Sequence, residues 1–177
     1  GRVPDSVAVD SLGREAYVTH FDSGTVSVIN TGTGRLTSTI TVGNGPEGVA
    51  LDPTEHRAYV TNGLSGTVSV IDTSKHARIA TIRVGPTPNR LSGIAIDPAA
   101  NKLYVADTYR NAVAVVDTTT GTVTGSLSVA HPWTLAINPA AHTLHVTTMG
   151  SGKVTVVDTS TREVLRTIEA GSTSVRL

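Results

Sequence analysis

Cysteine is absent from this chain of 177 residues, which excludes disulfides, thiolate metal sites and cysteine nucleophiles. Surplus charge is absent too, with 14 basic and 14 acidic residues and an isoelectric point near 7.2. A general grip on nucleic acid or an anionic membrane needs an excess of Lys and Arg, so neither is expected. No apolar run approaches the ~20 residues that span a bilayer. The sequence opens Gly1-Arg2 without an initiator Met or a signal-like stretch, which reads as a mature or trimmed piece. Several catalytic signatures are missing: there is no Gly-x-Ser-x-Gly elbow, no phosphate-cradling glycine loop and no His-Glu-x-x-His. Length alone suggests a single domain.

What is present is a repeat. Asp10, Asp52, Asp97 and Asn138 recur at intervals of 42, 45 and 41. Tyr17, Tyr59, Tyr104 and His145 follow seven residues behind each, and Ile29, Ile71, Val116 and Val157 twelve behind those. A period near 40 with four strand-like runs per copy signals an all-β propeller blade. One such unit cannot bury its faces alone, so the fold must come from stacking.

The second copy shows the unit most clearly. Its strand a is Gly48-Val49-Ala50-Leu51, stopped by Asp52-Pro53. Strand b is Arg57-Ala58-Tyr59-Val60-Thr61, and strand c is Thr67-Val68-Ser69-Val70-Ile71. Strand d is Ile79-Ala80-Thr81-Ile82-Arg83-Val84. All are rich in β-branched residues, and their short connections suit hairpins, giving a four-stranded antiparallel meander. Strand a is apolar on both faces in every copy, as a strand sandwiched between neighbouring sheets should be, and is read as innermost. The blades are placed at 3–42, 46–84, 91–129 and 132–170, with 171–177 as the start of a further strand or a tail.

Tyr59-Val60-Thr61-Asn62, together with Ser65-Gly66-Thr67-Val68-Ser69-Val70-Ile71-Asp72-Thr73 and Ser23-Gly24-Thr25-Val26-Ser27-Val28-Ile29-Asn30, resembles YVTN-type β-propeller repeats. In blade three, Leu103-Tyr104-Val105-Ala106-Asp107-Thr108-Tyr109-Arg110-Asn111 is also similar to NHL-type repeats. The resemblance implies a propeller that is often extracellular or in the cell envelope and usually serves as a binding scaffold. It carries no catalytic motif onto any position.

Four blades leave two blade faces uncovered, a large apolar patch. A homodimer closing an eight-blade ring is the expected resolution, with blade one of each copy meeting blade four of the other. The alternatives are a fragment of a longer propeller or a ring of four blades that closes alone.

In a propeller the d–a and b–c loops share one face, and loops on a rigid scaffold are where binding concentrates. Blade three departs from the repeat twice on that face: an insertion at Pro86-Thr87-Pro88-Asn89-Arg90, and Arg110-Asn111 where the other blades have Ser-Gly. The candidate ligand-binding residues are therefore Asn89, Arg90, Asp107, Tyr109 and Arg110, with His131 and Trp133 of blade four beside them and His20, Glu47 and Asn62 on the same rim. Arg90 and Arg110 would contact an anion or carboxylate, and Trp133 or Tyr109 would offer a stacking surface. Glu47 could pair with Asp5 or Asp22, though spacing does not single that pair out.

Metal chemistry is not expected. His142 and His145 are three apart beside a strand and so point to opposite faces. His56 and His142 occupy equivalent a–b turns. The Asn30, Asp72, Asp117 and Asp158 series reads as turn chemistry rather than a calcium loop. No cofactor and no catalytic residue are assigned. The expected function is a non-catalytic binding or interaction scaffold for a protein, small-molecule or carbohydrate ligand, without membrane insertion. The alternatives are a propeller enzyme of the lactonase or streptogramin-lyase type using rim acids and His, and a structural surface-layer or adhesin repeat.

Overall fold

The computed structural model describes residues 1–86 and 90–171. Among these residues the chain is all-β, with sixteen strands and three single-turn 3-10 segments at Phe21–Ser23, Thr108–Arg110 and Pro139–Ala141. The strands form four separate four-stranded sheets of consecutive strands: β1 to β4 (Pro4–Asp10, Glu15–His20, Thr25–Asn30, Leu36–Thr41), β5 to β8 (Pro46–Asp52, Arg57–Asn62, Thr67–Asp72, Ala77–Arg83), β9 to β12 (Leu91–Asp97, Lys102–Asp107, Ala112–Asp117, Thr122–Ser128) and β13 to β16 (Pro132–Asn138, Thr143–Thr148, Lys153–Asp158, Val164–Glu169). Every pairing whose register is defined is antiparallel. The a, b, c and d runs of the sequence are thus four meander blades.

Two compact units divide the chain, Gly1–Leu91 and Ser92–Leu177. In the first unit, strand a of blade one is β1 (Pro4–Asp10), strand b is β2 (Glu15–His20), and strand c is β3 (Thr25–Asn30). Blade two has β5 (Pro46–Asp52) and β6 (Arg57–Asn62) in the corresponding places. Their core brings together Tyr17, Val26, Val28, Ile40, Val49, Val60 and Ile71. The second unit has its own core around Tyr104, Val113, Val115, Leu127, Leu144, Val146 and Val157.

Turn chemistry fixes the hairpins. The carboxylate Oδ1 of Asp72 accepts the Ser74 and Lys75 N–H groups, both at 3.1 Å, and Asp117 and Asp158 take the two corresponding N–H groups in their own turns. Asn30 does the same with its amide oxygen. These residues are the Asx turns that the sequence suggested, and each holds one loop closed. Every a–b turn also places a non-glycine residue at positive φ: Arg14 at 55°, His56 at 49°, Asn101 at 52° and His142 at 50°. A β-carbon is disfavoured there by about 1 kcal/mol. His56→Gly is therefore expected to stabilise the chain by up to about 1 kcal/mol, read as a rise in the denaturation midpoint.

The threonine of strand b has a specific task. Strand a is irregular near its start, with register shifts between Pro4 and Val7 and between Pro46 and Val49. The Thr19 hydroxyl accepts the Ser6 N–H at 2.9 Å, the Thr61 hydroxyl accepts the Gly48 N–H at 2.8 Å, and Thr147 accepts the Thr134 N–H at 2.9 Å. Each hydroxyl meets an amide that the bulge removes from the ladder. Thr61→Val would leave the buried Gly48 N–H without this acceptor, and is expected to cost about 1–3 kcal/mol in a urea denaturation.

Blade one keeps an open apolar face. Val7 and Val9 are 61% and 60% exposed, whereas Val49, the counterpart of Val7 in blade two, is 8% exposed inside the core. Val164, Leu165 and Ile168 of β16 (Val164–Glu169) are exposed likewise in blade four.

Candidate functional site

The second residue of strand a differs in every blade: Asp5, Glu47, Ser92 and Trp133. In blade three the position is closed with hydroxyls. Ser92 Oγ lies 3.2 Å from Thr108 Oγ1, and Thr108 donates to the Pro132 carbonyl at 2.8 Å while Ser92 donates to the Trp133 carbonyl at 2.9 Å. The polar atoms there are spent on the fold.

Blade two is built otherwise. Glu47 is only 7% exposed, and its main-chain carbonyl accepts a hydrogen bond from the Thr19 hydroxyl at 2.6 Å. Among the described residues no hydrogen bond or ion pair reaches its carboxyl group. Where blade three has Thr108, blade two has Gly63. A β-carbon at Gly63 would lie 2.7 Å from Glu47 Oε1 and 2.8 Å from the Leu91 carbonyl oxygen. The missing side chain leaves the room in which the carboxyl sits.

Burial pushes the Glu47 carboxyl up to about 7; the Arg90 guanidinium pulls it down and the Asp5 carboxylate pushes it further up. Removal from water therefore outweighs the attraction of Arg90. Asp5, at the exposed start of β1, is raised by partial desolvation against the same Arg90. Near neutral pH, Glu47 exists in both protonation states. It can donate or accept a proton, the property required of a general acid or base.

The other predicted residues fall into separate places. Asn89 lies outside the described residues. Arg90 is half-buried in the first unit, where it acts on Glu47 and Asp5. His20 and Asn62 hold equivalent positions and bond within their own blades. Asn62 Nδ2 donates to Thr67 and Ser69 hydroxyls, both at 3.0 Å, and its Oδ1 accepts the Gly43 N–H at 3.0 Å. His20 Nε2 sits 2.9 Å from Ser27 Oγ, and burial holds its imidazole below the usual range.

In the second unit, Asp107 is buried. Its Oδ1 accepts the Arg110 N–H at 3.2 Å, and its Oδ2 lies 3.7 Å from Arg110 Nε. Tyr109 stands exposed on the same 3-10 turn. His131 is exposed at a φ of 43°, its N–H bonded to Asn111 Oδ1 at 2.9 Å, and Trp133 is half-buried. Asp107 thus organises a turn that presents Tyr109 and half of Arg110. No group of three or more acidic, His or Cys residues able to hold a metal occurs among the described residues.

Sequence reasoning placed Glu47 on the rim with Asp5 or Asp22 as possible partners and did not single out either pair; it missed the space left by Gly63. The signal was available: Phe21, Thr108 and Met149 occupy the positions equivalent to Gly63. A glycine opposite a buried glutamate marks blade two apart from its copies.

No curated protein matches the chain. Among solved structures, the Kuenenia stuttgartiensis hydrazine synthase is similar with a TM-score of 0.83 at 28% identity, over 93% of this chain and 48% of that one. The chain therefore spans about half the length of that relative. Residues 7–170 match the family described as lactonase, 7-bladed β-propeller. The chain belongs to that lactonase β-propeller family.

Proposed function

We propose that this chain, a propeller with YVTN-type repeats, is a binding scaffold for a small polar ligand, and that the ligand is recognised at Glu47 with Asp5 and Arg90. The observation that carries this reading is Glu47, a largely buried residue whose carboxyl makes no hydrogen bond or ion pair among the described residues. A structural position has no use for it: burying an acid without partners costs free energy, and blade three fills the same place with hydroxyls that satisfy carbonyls. An arrangement that costs stability and serves no packing need is where ligand chemistry is expected. A thermal-shift screen of small polar compounds tests it. The expected result is compounds that stabilise the parent chain and lose their effect in Glu47→Leu. Stabilisation that survives in the variant places recognition elsewhere.

The ionisation of Glu47 near 7 and the family match favour one second reading, hydrolysis of a lactone. The Glu47 carboxylate would take a proton from water as the water oxygen attacks the ring carbonyl. The same proton would then pass to the departing ring oxygen, leaving a hydroxy acid. Titrimetric assay of sugar lactones with the parent and Glu47→Gln separates this reading from pure binding.

For assembly, we propose that the open Val7 and Val9 face takes a blade from a second copy. Light scattering is expected to give twice the chain mass of 18.3 kDa; a stable monomer contradicts it. We place the protein in the extracellular space or cell envelope, on the YVTN-type resemblance; fractionation of the source cells tests this.

A further inference from the structure

The blade junction inside each unit is built from the same places of the repeat. In the first unit, Tyr17, Val26, Val28, Ile40 and Val42 of blade one pack with Val49, Ala58, Val60 and Ile71 of blade two. In the second unit, Tyr104, Val113, Val115, Leu127 and Val129 of blade three pack with Leu144, Val146 and Val157 of blade four. A blade therefore has a following face, headed by the tyrosine of strand b, and a leading face that receives the blade before it. Two such faces are open among the described residues. The leading face of blade one carries Val7, Val9 and Ile29; Ile29 is half-buried where Ile71 is fully buried. The following face of blade four carries His145 in the tyrosine place, with Val156 and Ile168. Ile168 is 41% exposed, against 4% for Ile40 and 2% for Leu127 in the same place.

One pair of places on these faces is filled in a complementary way. The fourth residue after the Asx residue of the c–d turn is Gly34, His76, Gly121 or Arg162. His76 reaches back from blade two to Glu15 of blade one at 2.9 Å. Arg162 reaches back from blade four over blade three, where a β-carbon at Gly125 would collide with its guanidinium. Gly125 stands opposite Val115, and Val115 opposite Tyr104, so all three share the following face of blade three. The large turn residue thus meets a blade that is small at this place of strand d: Ser38 for His76, Gly125 for Arg162.

At the two open faces the sizes are reversed. Arg166 of blade four stands opposite Val156, in line with His145, and is exposed. The turn residue of blade one is Gly34, at a φ of 68°, and no described atom lies within 4 Å of where its β-carbon would be. The protruding guanidinium belongs to one open face and the empty space to the other.

We propose that these two faces meet: the following face of blade four in one copy docks on the leading face of blade one in a second copy, with Arg166 filling the space over Gly34 and His145 in the tyrosine place before Thr31. This rests on the two-copy assembly proposed above and names its contact. Thr31 fits that role. It is exposed, whereas its counterpart Thr73 is buried and its carbonyl accepts the Tyr17 hydroxyl at 3.5 Å. A glycine turn is what the contact requires, because a second cation there would share the room of one guanidinium and repel it.

A size swap tests the junction. Gly34→Arg gives blade one the residue that blade four holds at the same turn place at a φ of 67°, so the fold is expected to persist, as read by circular dichroism. Two arginines then compete for one space, and light scattering should show the dimer weakened at least about tenfold. Adding Arg166→Gly recreates the arrangement of Arg162 over Gly125 and should restore the dimer. A Gly34→Arg chain as dimeric as the parent, or a double variant that stays dissociated, overturns this junction while leaving the two-copy assembly standing. A monomeric parent overturns both. Should Gly34→Arg fail to fold, Gly34→Cys with Arg166→Cys decides, since the chain has no other cysteine. A bismaleimide linker is then expected to give a product of twice the chain mass that needs both cysteines, and its absence overturns the junction.

Discussion

Glu47→Gln is expected to raise the stability of the chain at pH 8 by up to about 3 kcal/mol. The ordinary glutamate value is 4.5, and burial raises it in the fold to about 7. Below pH 4.5 both folded and unfolded chains hold the proton, and Glu47 contributes no pH dependence. Between 4.5 and 7 the unfolded chain releases its proton while the folded chain keeps it, so stability falls as pH rises. Above 7 both are ionised and the penalty is complete. It accumulates at about 1.4 kcal/mol per pH unit across that window. The measurement is a set of urea denaturations from pH 4 to pH 8. The difference between parent and Gln variant should grow across that window and then level off. A constant difference would mean that Glu47 titrates in the fold as it does in the unfolded chain.

Gly63→Ala should cost about 1–3 kcal/mol and displace the Glu47 carboxyl. The two contacts of the new β-carbon, 2.7 Å to Glu47 Oε1 and 2.8 Å to the Leu91 carbonyl, are unequal in consequence. The carboxyl can swing away, but the backbone carbonyl cannot without moving β9. Combining the change with Glu47→Ala should therefore recover part of the loss, and the coupling between the two sites measures their contact. Full additivity would show that Glu47 does not occupy the space beside Gly63. Gly63 has no positive φ, so any loss reports crowding rather than backbone strain.

The blades were legible because their signals are local. Val-Ala-Val-Asp and Thr-Val-Ser-Val-Ile-Asn alternate with turn residues inside short windows, and the Asx turns at Asp72, Asp117 and Asp158 need only their own next three residues. The role of the threonine in strand b was not legible. It depends on a bulge in strand a, thirteen residues earlier, that no composition rule announces. The site was legible in part. Glu47 was one of several rim candidates, and what sets its surroundings apart comes from Gly63 and Arg90, distant in sequence. Asn62 and His20 stand on the same rim, and each also meets a serine of its own blade, Ser69 and Ser27.

Carbon-13 titration of the glutamate side-chain carboxyls tests the central claim most directly. One resonance titrating near 7 and absent in Glu47→Gln is the predicted result. A spectrum in which every glutamate titrates near the ordinary 4.5 would contradict it, because Glu47 would then be a solvated carboxylate with no special chemistry.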